Sequence, residues 1–100
     1  MKILLTGSNG MLGKNILDHN TSNNYDFLTP SSKELNLLNY QDVKTYIAFH
    51  QPEFIIHAAG KVGGIQANIK EPVCFLVDNI DMGRNIIMAA KENNIKNLLN

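Results

Sequence analysis

Two glycine-rich stretches contain the residues of this sequence whose types and spacing could bind a ligand. The first, TGSNGMLG, places Gly7, Gly10 and Gly13 directly after an apolar run and at the start of a segment with helical spacing. The second, AAGKVGGIQAN (residues 58–68), follows another apolar run and sets Lys61 among glycines. Each combines a freely bending backbone with groups that attract an anion, namely backbone amides in the first stretch and a lysine in the second.

The second stretch does not match a nucleoside-triphosphate loop. That motif requires a glycine five residues before Gly60 and a serine or threonine directly after Lys61. The sequence has Ile55 and Val62 at those positions. We therefore predict the phosphate site elsewhere, and the residues around Lys61 leave open whether it meets a phosphate or ribose or is simply solvated.

The first stretch has the spacing G-x-x-G-x-x-G between a predicted strand and a predicted helix, which is the context of a dinucleotide-binding turn. In such a turn Gly7 permits the tight bend, Gly10 lets the backbone approach a pyrophosphate, and Gly13 lets the helix lie close to the strand. Free amides and the positive end of the helix dipole then face the anion. We predict that residues 7–13 bind the pyrophosphate of a dinucleotide cofactor.

Apolar runs alternate with helix-like segments along the chain, a rhythm that indicates a parallel sheet covered on both faces. Strands are predicted at residues 2–6, 25–29, 35–38, 53–59 and, as a beginning only, 96–99; helices are predicted at 11–19, 40–51 and 73–93. Asn39 is predicted to cap the second helix, which should bury Val43, Tyr46, Ile47 and Phe49. The predicted fold is α/β, a Rossmann-like doubly wound parallel sheet that stops after about its fifth strand.

In a doubly wound sheet, the carboxyl ends of the first strand and of strand 53–59 flank the point where the strand order reverses. The two glycine-rich stretches are therefore expected to face each other across one crevice. A sheet that stops at this stage leaves strand edges and helix faces uncovered. We expect residues 1–100 to be the amino-terminal part of an NAD(P)-binding domain, with the rest of that domain and a substrate domain in a longer protein.

The residues after the second predicted strand indicate which dinucleotide would bind. An NAD site usually offers a carboxylate to the ribose hydroxyls about 20 residues beyond the glycines. Here Ser31, Ser32 and Lys33 precede the first carboxylate, Glu34. Hydroxyl groups and a lysine suit a 2′-phosphate, which favours NADP(H) over NAD. A solvated surface turn is the alternative interpretation of these residues.

Composition argues against several classes of function. Nine basic and nine acidic side chains among 100 residues give no net charge for attracting nucleic acid or an anionic membrane. No apolar run approaches the roughly 20 residues of a membrane span, and no histidine, cysteine or carboxylate spacing predicts a metal site. We expect a cytoplasmic protein that binds neither nucleic acid nor membrane, in which the single cysteine, Cys74, is a small core residue.

Two further features have a structural and a functional interpretation. His57 ends a buried strand beside the expected crevice, and a packed, hydrogen-bonded histidine is favoured over a catalytic one. The long helix 73–93 is apolar nearly all round, with Leu76, Val77 and Ile80 among the side chains of one side. Such a helix is either fully buried or half buried with a partner on its other side.

Four segments together give the sequence a specific resemblance. They are GMLG after the first strand, ELNLLN (residues 34–39), AAGKVGGIQAN, and the N…N…AA pattern of the long helix. With them the chain resembles the GDP-L-fucose synthases of the extended short-chain dehydrogenase/reductase superfamily, over essentially all 100 residues. The resemblance implies an NADP(H)-dependent enzyme that converts GDP-4-keto-6-deoxy-D-mannose to GDP-L-fucose, by epimerising two carbons next to the ketone and reducing that ketone with hydride.

The resemblance also implies roles for individual positions. The pyrophosphate would meet Gly7, Ser8, Asn9, Gly10, Met11, Leu12 and Gly13; the adenine Asn36 and Leu37; the nicotinamide side Ala58, Ala59, Gly60 and Lys61; cofactor and sugar together the loop with Val62, Gly63, Gly64 and Asn68; and Asn79 would neighbour the active site. The assignment of Ser32 and Lys33 to the cofactor phosphate rests on their own side chains and not on the resemblance. The catalytic residues are expected beyond Asn100, so none is assigned to this chain, which alone should be inactive. Helix 73–93 is expected to form a homodimer interface in the complete protein.

The sequence departs from the resemblance at two places and leaves other functions open. The family often has arginine where this chain has Ser31 to Lys33, and alanine where it has Gly60. An NAD-dependent nucleotide-sugar epimerase or dehydratase is one alternative. A non-catalytic NAD(P)-binding module, or a truncated remnant, is the other.

Overall fold

The computed structural model describes residues 1–19, 25–60 and 72–99 of the chain. Within these ranges, strands and helices alternate, with four strands and three helices. The elements are β1 (Lys2–Thr6), α1 (Met11–Asp18), β2 (Asp26–Leu28), α2 (Tyr40–His50), β3 (Phe54–His57), α3 (Pro72–Glu92) and β4 (Leu98–Leu99). The predicted α/β class is confirmed.

The described strands pair in parallel in the order β2-β1-β3-β4. On one side of β1, Ile3 lies opposite Phe27 of β2, and on the other side it lies opposite Phe54 of β3. The chain therefore moves away from β1 in one direction and returns to its other side. The carboxyl ends of β1 and β3 become neighbours at the topological switch point, which is where ligands bind in such sheets.

The hydrophobic core lies between the sheet and helices α2 and α3. β1 is a continuous apolar run, as expected for a parallel strand covered on both faces, and Leu4 and Leu5 are fully buried. The buried cluster consists of Leu4, Leu35, Val43, Ile47, Ile55, Ile86, Ala89 and Ala90. Both helices and the connection before α2 are thus fixed against the strands that carry the two glycine-rich stretches.

Helix α2 begins and ends as the sequence predicts. The Asn39 side chain accepts a hydrogen bond from the Asp42 amide at 3.2 Å, and the helix ends at Gln51 in the left-handed region with φ 47°. The predicted burial of Phe49 is wrong, because its side chain is 82% exposed. It lies on the side of the helix that faces away from Val43 and Ile47.

Polar contacts join α2 to α3 at the rim of the core. Lys44 Nζ lies 2.9 Å from Glu92 Oε2, and the Tyr40 hydroxyl donates to the other carboxylate oxygen of Glu92. The hydrogen bonds from Lys44 and Tyr40 lower the pKa of the Glu92 carboxyl. The side-chain Nδ2 of Asn93 donates to the Ala89 carbonyl at 2.9 Å and to the Lys44 carbonyl at 3.4 Å.

The predicted edge strand at residues 35–38 is wrong, and the described sheet accordingly has four strands rather than about five. The segment forms consecutive turns: the Leu35 amide donates to the Ser31 carbonyl at 2.9 Å, and the Leu38 amide donates to Asn36 Oδ1 at 3.1 Å. A backbone carbonyl in the first case and an asparagine side chain in the second thus give these amides local partners in place of a strand ladder. The leucines that suggested a strand serve instead to anchor the turn, since Leu35 is buried in the core.

Helix α3 is apolar on two sides, of which the described residues cover one. Met82, Ile86, Ala89 and Ala90 are buried against the rest of the domain. The outward side chains are exposed: Val73, Leu76, Val77, Ile80, Ile87 and Met88. The predicted burial of Cys74 is also wrong, because this residue lies exposed in the first turn of α3, before the part of the helix that packs on the core.

Candidate functional site

A cavity of about 330 Å³ opens at the carboxyl edge of the sheet, between the ends of β1 and β3. One wall is the glycine-rich turn, residues 6–10, and the opposite wall is the connection between β2 and α2, residues 30–32 and 35–38. Ala59 and Gly60 close it on the β3 side, and Met82 of α3 lines it as well. The structure therefore brings parts of both glycine-rich stretches to one crevice, as the sequence predicts.

The glycine-rich turn presents the start of α1 to this crevice. Gly7 has φ 74°, and the Gly10 amide donates to its carbonyl at 3.0 Å, which closes a tight turn before the helix. Gly10 is the N-cap of α1 and gives no side-chain cap, and no acidic residue occupies the first turn. The first amides of a helix have no partner within the helix, so this end is suited to an anion such as a pyrophosphate.

Two of the glycines lie where no side chain fits. A Cβ at Gly13 would lie 2.2 Å from the Gly7 carbonyl oxygen and 2.7 Å from Ser8 Cα. A Cβ at Gly7 would lie 2.6 Å from the backbone nitrogen of Ala59, which follows β3. The close contact at Gly13 therefore packs α1 on the turn, and the close contact at Gly7 packs the turn on the end of β3.

The ends of β1 and β3 are also joined through two buried side chains. Thr6 Oγ1 lies 2.7 Å from His57 Nδ1 and accepts a hydrogen bond from the Ala59 amide at 3.2 Å. The hydroxyl oxygen accepts from Ala59 and shares a second hydrogen bond with Nδ1, whose donor and acceptor depend on the histidine tautomer. His57 is 9% exposed, and burial lowers the pKa of its imidazole. It is a packed, hydrogen-bonded histidine, as the sequence favoured.

We expect the burial of His57 to make the stability of the domain depend on pH. Because the folded-state pKa lies below the unfolded value of about 6.5, the unfolded chain binds this proton first. The stabilisation that neutral His57 gives the folded state is therefore fully present above about pH 6.5 and is lost as the pH falls below that value. Urea unfolding between pH 7.5 and 5 should show this decline.

The matched variants for this experiment are His57→Gln and His50→Gln, because His50 lies outside the buried pair at the end of α2. The first should flatten the profile below pH 6.5, and it should do so more than the second. Equal slopes for His57→Gln and the unmodified chain would contradict the assignment of the decline to His57.

The wall between β2 and α2 is held by a reciprocal pair of hydrogen bonds. The Ser31 amide donates to Glu34 Oε1 at 3.1 Å, and the Glu34 amide donates to Ser31 Oγ at 3.4 Å. This is the arrangement of a capping box. It holds the Glu34 carboxylate at the Ser31 amide, while Ser32 and Lys33 are exposed and Ser32 lines the cavity.

The other predicted site residues differ in whether they reach the crevice. Ser8, Asn9, Asn36 and Leu37 line the crevice, and Ala58 directly follows β3. Met11 and Leu12, in contrast, are 83% and 60% exposed and do not line it. Lys61, Val62, Gly63, Gly64 and Asn68 lie outside the described residues.

Asn79 of α3 lies next to the end of β3. A Cβ placed on Gly60 would be 3.6 Å from Asn79 Oδ1, so the amide side chain packs close to the Gly60 backbone. Met82, one helical turn further along, lines the crevice, although the sequence did not predict it as a site residue. Its spacing of three residues from Asn79 places both on one side of the helix, which is the sequence signal that could have identified it.

We expect Gly60→Ala to preserve the fold and to stabilise it slightly. The added methyl would meet Asn79 at an ordinary contact distance of 3.6 Å, and Gly60 is not among the positive-φ glycines. Alanine restricts the unfolded chain more than glycine does, which corresponds to a gain of about 0.4–1 kcal/mol in the free energy of unfolding. Urea denaturation would measure this gain, and a loss of more than about 1 kcal/mol would show that the site cannot hold a Cβ.

The described part of the chain offers neither a metal site nor a membrane span. Residues 1–19, 25–60 and 72–99 contain no group of three or more histidine, cysteine, aspartate or glutamate side chains that could hold a metal ion. Within the same ranges, no helix has the length and hydropathy needed to cross a membrane.

Comparison with known proteins identifies the family. The chain is 63% identical over 100 residues to the GDP-L-colitose synthase of Yersinia pseudotuberculosis and 38% identical over 99 residues to the GDP-L-fucose synthase of Azorhizobium caulinodans. These matches cover 100% and 99% of this chain but only 32% of each relative, so the chain spans about a third of their length. These relatives confirm the resemblance to GDP-L-fucose synthases that the sequence motifs indicated.

A solved structure and a family model agree with this result. A dTDP-4-dehydrorhamnose reductase from Bacillus anthracis, solved in complex with NADP, superposes with a TM-score of 0.83 at 30% identity, over 97% of this chain and 34% of that one. Residues 3–100 match the model of a family described as NAD dependent epimerase/dehydratase. The chain therefore belongs to the NAD dependent epimerase/dehydratase family.

Proposed function

We propose that this chain is the NADP(H)-binding amino-terminal part of a GDP-sugar epimerase/reductase. The observation that carries the proposal is the crevice itself, where three features surround one cavity: the glycine-rich turn, the end of β3, and a serine-containing wall whose Glu34 carboxylate is bonded to the Ser31 amide. The curated relatives are named as synthases of GDP-L-colitose and GDP-L-fucose, and the superposed reductase was solved with NADP.

Each wall of the crevice has a distinct task in this proposal. The amides at the start of α1 bind the pyrophosphate, and Asn36 and Leu37 approach the adenine. Ser32 and Lys33 bind the 2′-phosphate, while Ala58, Ala59 and Gly60 border the nicotinamide, whose hydride reduces a 4-keto group of the GDP-sugar. Asn79 supports that end of the crevice from behind through its contact with Gly60.

The chain contributes cofactor binding rather than acid–base chemistry. We assign no catalytic residue to residues 1–100, and we expect the proton donors and acceptors for epimerisation and reduction to come from the remaining two-thirds that the relatives possess. The 100-residue chain alone is then expected to bind NADP(H) but not to turn over a substrate. A non-catalytic NAD(P)-binding module would also bind the cofactor, and turnover by the gene product that includes this chain separates the two.

The product has two candidates, GDP-L-fucose and GDP-L-colitose. The motifs indicate the first, and the 63% identity to a GDP-L-colitose synthase, against 38% to a GDP-L-fucose synthase, favours the second. L-Colitose is L-fucose without its 3-hydroxyl group. The gene product that includes this chain should therefore be assayed for NADPH oxidation with GDP-4-keto-6-deoxymannose and with the 3-deoxy form of that substrate. No oxidation with either sugar by a folded, NADPH-binding protein would contradict the proposal.

Cofactor preference can be tested on the chain itself. We expect NADPH to bind more tightly than NADH, and Lys33→Ala to weaken NADPH binding by about three- to tenfold while leaving NADH binding unchanged, because the lysine meets only the 2′-phosphate. Lys96→Ala is the matched control, since this lysine is also exposed but precedes β4 at the opposite edge of the sheet. Equal affinity of the unmodified chain for NADPH and NADH would favour an NAD-dependent epimerase or dehydratase.

The proposal also includes a homodimer interface on the outward side of α3. Its exposed apolar residues, among them Leu76, Ile80 and Ile87, support the expectation that this helix forms a homodimer interface in the complete protein. The molar mass of the complete protein in solution, measured by light scattering, would test this. A monomeric mass would contradict it.

A further inference from the structure

The wall formed by residues 30–38 contributes to the crevice without belonging to any described strand or helix. Its backbone is therefore not held by a sheet ladder. Local turns give it shape through hydrogen bonds such as that from the Leu38 amide to Asn36 Oδ1. Leu35 anchors one point of it in the core. The other half, around Leu37, needs a separate support to keep its position in the crevice.

Asn85 of α3 provides this support. Its side-chain Nδ2 donates to the Leu37 carbonyl oxygen at 2.9 Å. Asn85 is only 3% exposed, and its neighbours on the inner side of the helix, Met82 and Ile86, are apolar. A buried amide among apolar side chains is costly unless it is hydrogen-bonded, and an apolar residue would satisfy the helical pattern equally well. The carbonyl that this amide satisfies belongs to a residue that lines the crevice.

Three side chains of α3 at successive three-residue intervals lie beside the crevice. Asn79 contacts Gly60 on the β3 side, Met82 lines the cavity, and Asn85 bonds to Leu37 on the opposite wall. The helix therefore runs behind the cavity and contacts both of its sides. Of these three contacts, the one at Asn85 fixes the backbone of the wall that has no regular secondary structure.

We propose that Asn85 is a positioning residue that holds the adenosine wall of the cofactor site through its hydrogen bond to the Leu37 carbonyl. This inference rests on the proposed function, because it takes the cavity to be the NADP(H) site. Loss of the bond leaves the Leu37 carbonyl without this partner and lets residues 36–38 move relative to Met82. Binding of the adenosine half of the cofactor then weakens, while the pyrophosphate turn on the other wall is unaffected.

The test compares Asn85→Ala and Asn85→Leu with Asn93→Ala. Asn93, which directly follows α3, is a matched control. Its side-chain Nδ2 also donates to backbone carbonyls, but these belong to Ala89 and Lys44, away from the crevice. The ligands are NADPH and adenosine 2′,5′-bisphosphate, titrated calorimetrically at a temperature where every variant is folded. We expect both Asn85 variants to bind adenosine 2′,5′-bisphosphate about five- to tenfold more weakly and Asn93→Ala to stay within about twofold.

A second measurement separates local from global effects. Hydrogen exchange should accelerate at the Leu35, Leu38 and Asn39 amides in Asn85→Ala and stay unchanged at the β1 amides, whereas a general loss of stability would accelerate both. Unchanged affinity in the Asn85 variants, or an equal loss in Asn93→Ala, would overturn the proposal. It would also be overturned if neither Asn85 variant folds while Asn93→Ala does.

Failure of the proposed function has a different signature. In that case the unmodified chain itself binds neither NADPH nor adenosine 2′,5′-bisphosphate. The exchange measurement would still report whether Asn85 holds residues 35–39, because it requires no ligand. Accelerated exchange without cofactor binding would support the structural link and reject the cofactor site.

Discussion

Replacement of Gly13 by alanine is expected to remove NADPH binding, with an affinity loss of about 100-fold or more. The new Cβ would lie 2.2 Å from the Gly7 carbonyl oxygen and 2.9 Å from the Gly7 carbonyl carbon, which are backbone atoms that cannot rotate away. Helix α1 must then shift from the turn, so its first amides no longer point at the place where the pyrophosphate would lie. Overpacking of this kind also costs about 1–3 kcal/mol of unfolding free energy.

Two other glycines are controls for this experiment. Gly83 lies inside α3, and a methyl group added there would have no described heavy atom within 4 Å apart from its chain neighbours and its own helix backbone, so Gly83→Ala should stabilise the chain by about 0.5–1 kcal/mol and leave NADPH binding unchanged. Within the described ranges, the methyl group of Gly10→Ala would meet the Gly7 carbonyl oxygen alone, at 3.4 Å, and its effect on stability should be smaller than that of Gly13→Ala. Calorimetric titration and urea unfolding measure both quantities. If Gly13→Ala retained affinity within about threefold, the close packing of α1 on the turn would not matter for binding.

The part of the fold that the sequence predicts best is the unit of β1, glycine-rich turn and α1. There the local signals agree: a continuous apolar run, glycines at fixed spacing, and a helical period. The Asn39 cap was predictable for the same reason, because the side chain and the amide it accepts from are three residues apart. The meeting of both glycine-rich stretches at one crevice follows from strand order, which a doubly wound fold prescribes.

The sequence-based predictions were wrong where tertiary packing decides between two structures that the local sequence allows equally. Residues 35–38 have the composition of a short strand, but burial of Leu35 in the core stabilises the turn conformation over a ladder at the edge of the sheet. Cys74 and Phe49 are apolar residues within helices, and their exposure depends on which neighbours each helix meets. Periodicity indicates that a helix has an apolar face but does not identify what covers it.

Asn85 shows a different limit of sequence reasoning. Its partner is a backbone carbonyl 48 positions away, at Leu37, and a carbonyl has no signature in the sequence. The same holds for the Ala59 amide that donates to Thr6. Contacts between side chains and distant backbone groups therefore became visible only in the structure, although they shape the walls of the candidate site.

Replacement of Gly7 by alanine is expected to destabilise the chain by about 2–4 kcal/mol, because two costs add. The residue has φ 74°, a conformation that costs an L-amino acid about 1–2 kcal/mol relative to glycine. In addition, the Cβ would lie 2.6 Å from the Ala59 nitrogen and 2.7 Å from the Ala58 carbonyl carbon. The ends of β1 and β3 would have to separate, which would stretch the bond between Thr6 and the Ala59 amide.

Comparison of Gly7→Ala with Gly7→Asn separates these two costs. Asparagine tolerates the left-handed region better than alanine but carries the same Cβ. If the conformation alone mattered, Gly7→Asn would recover most of the stability that Gly7→Ala loses in urea unfolding. Because the contact with Ala59 is the same in both variants, we expect Gly7→Asn to recover at most about 1 kcal/mol and both variants to lose NADPH binding. Near-complete recovery by asparagine would show that the crevice walls can move apart freely, and would contradict their close packing at Gly7.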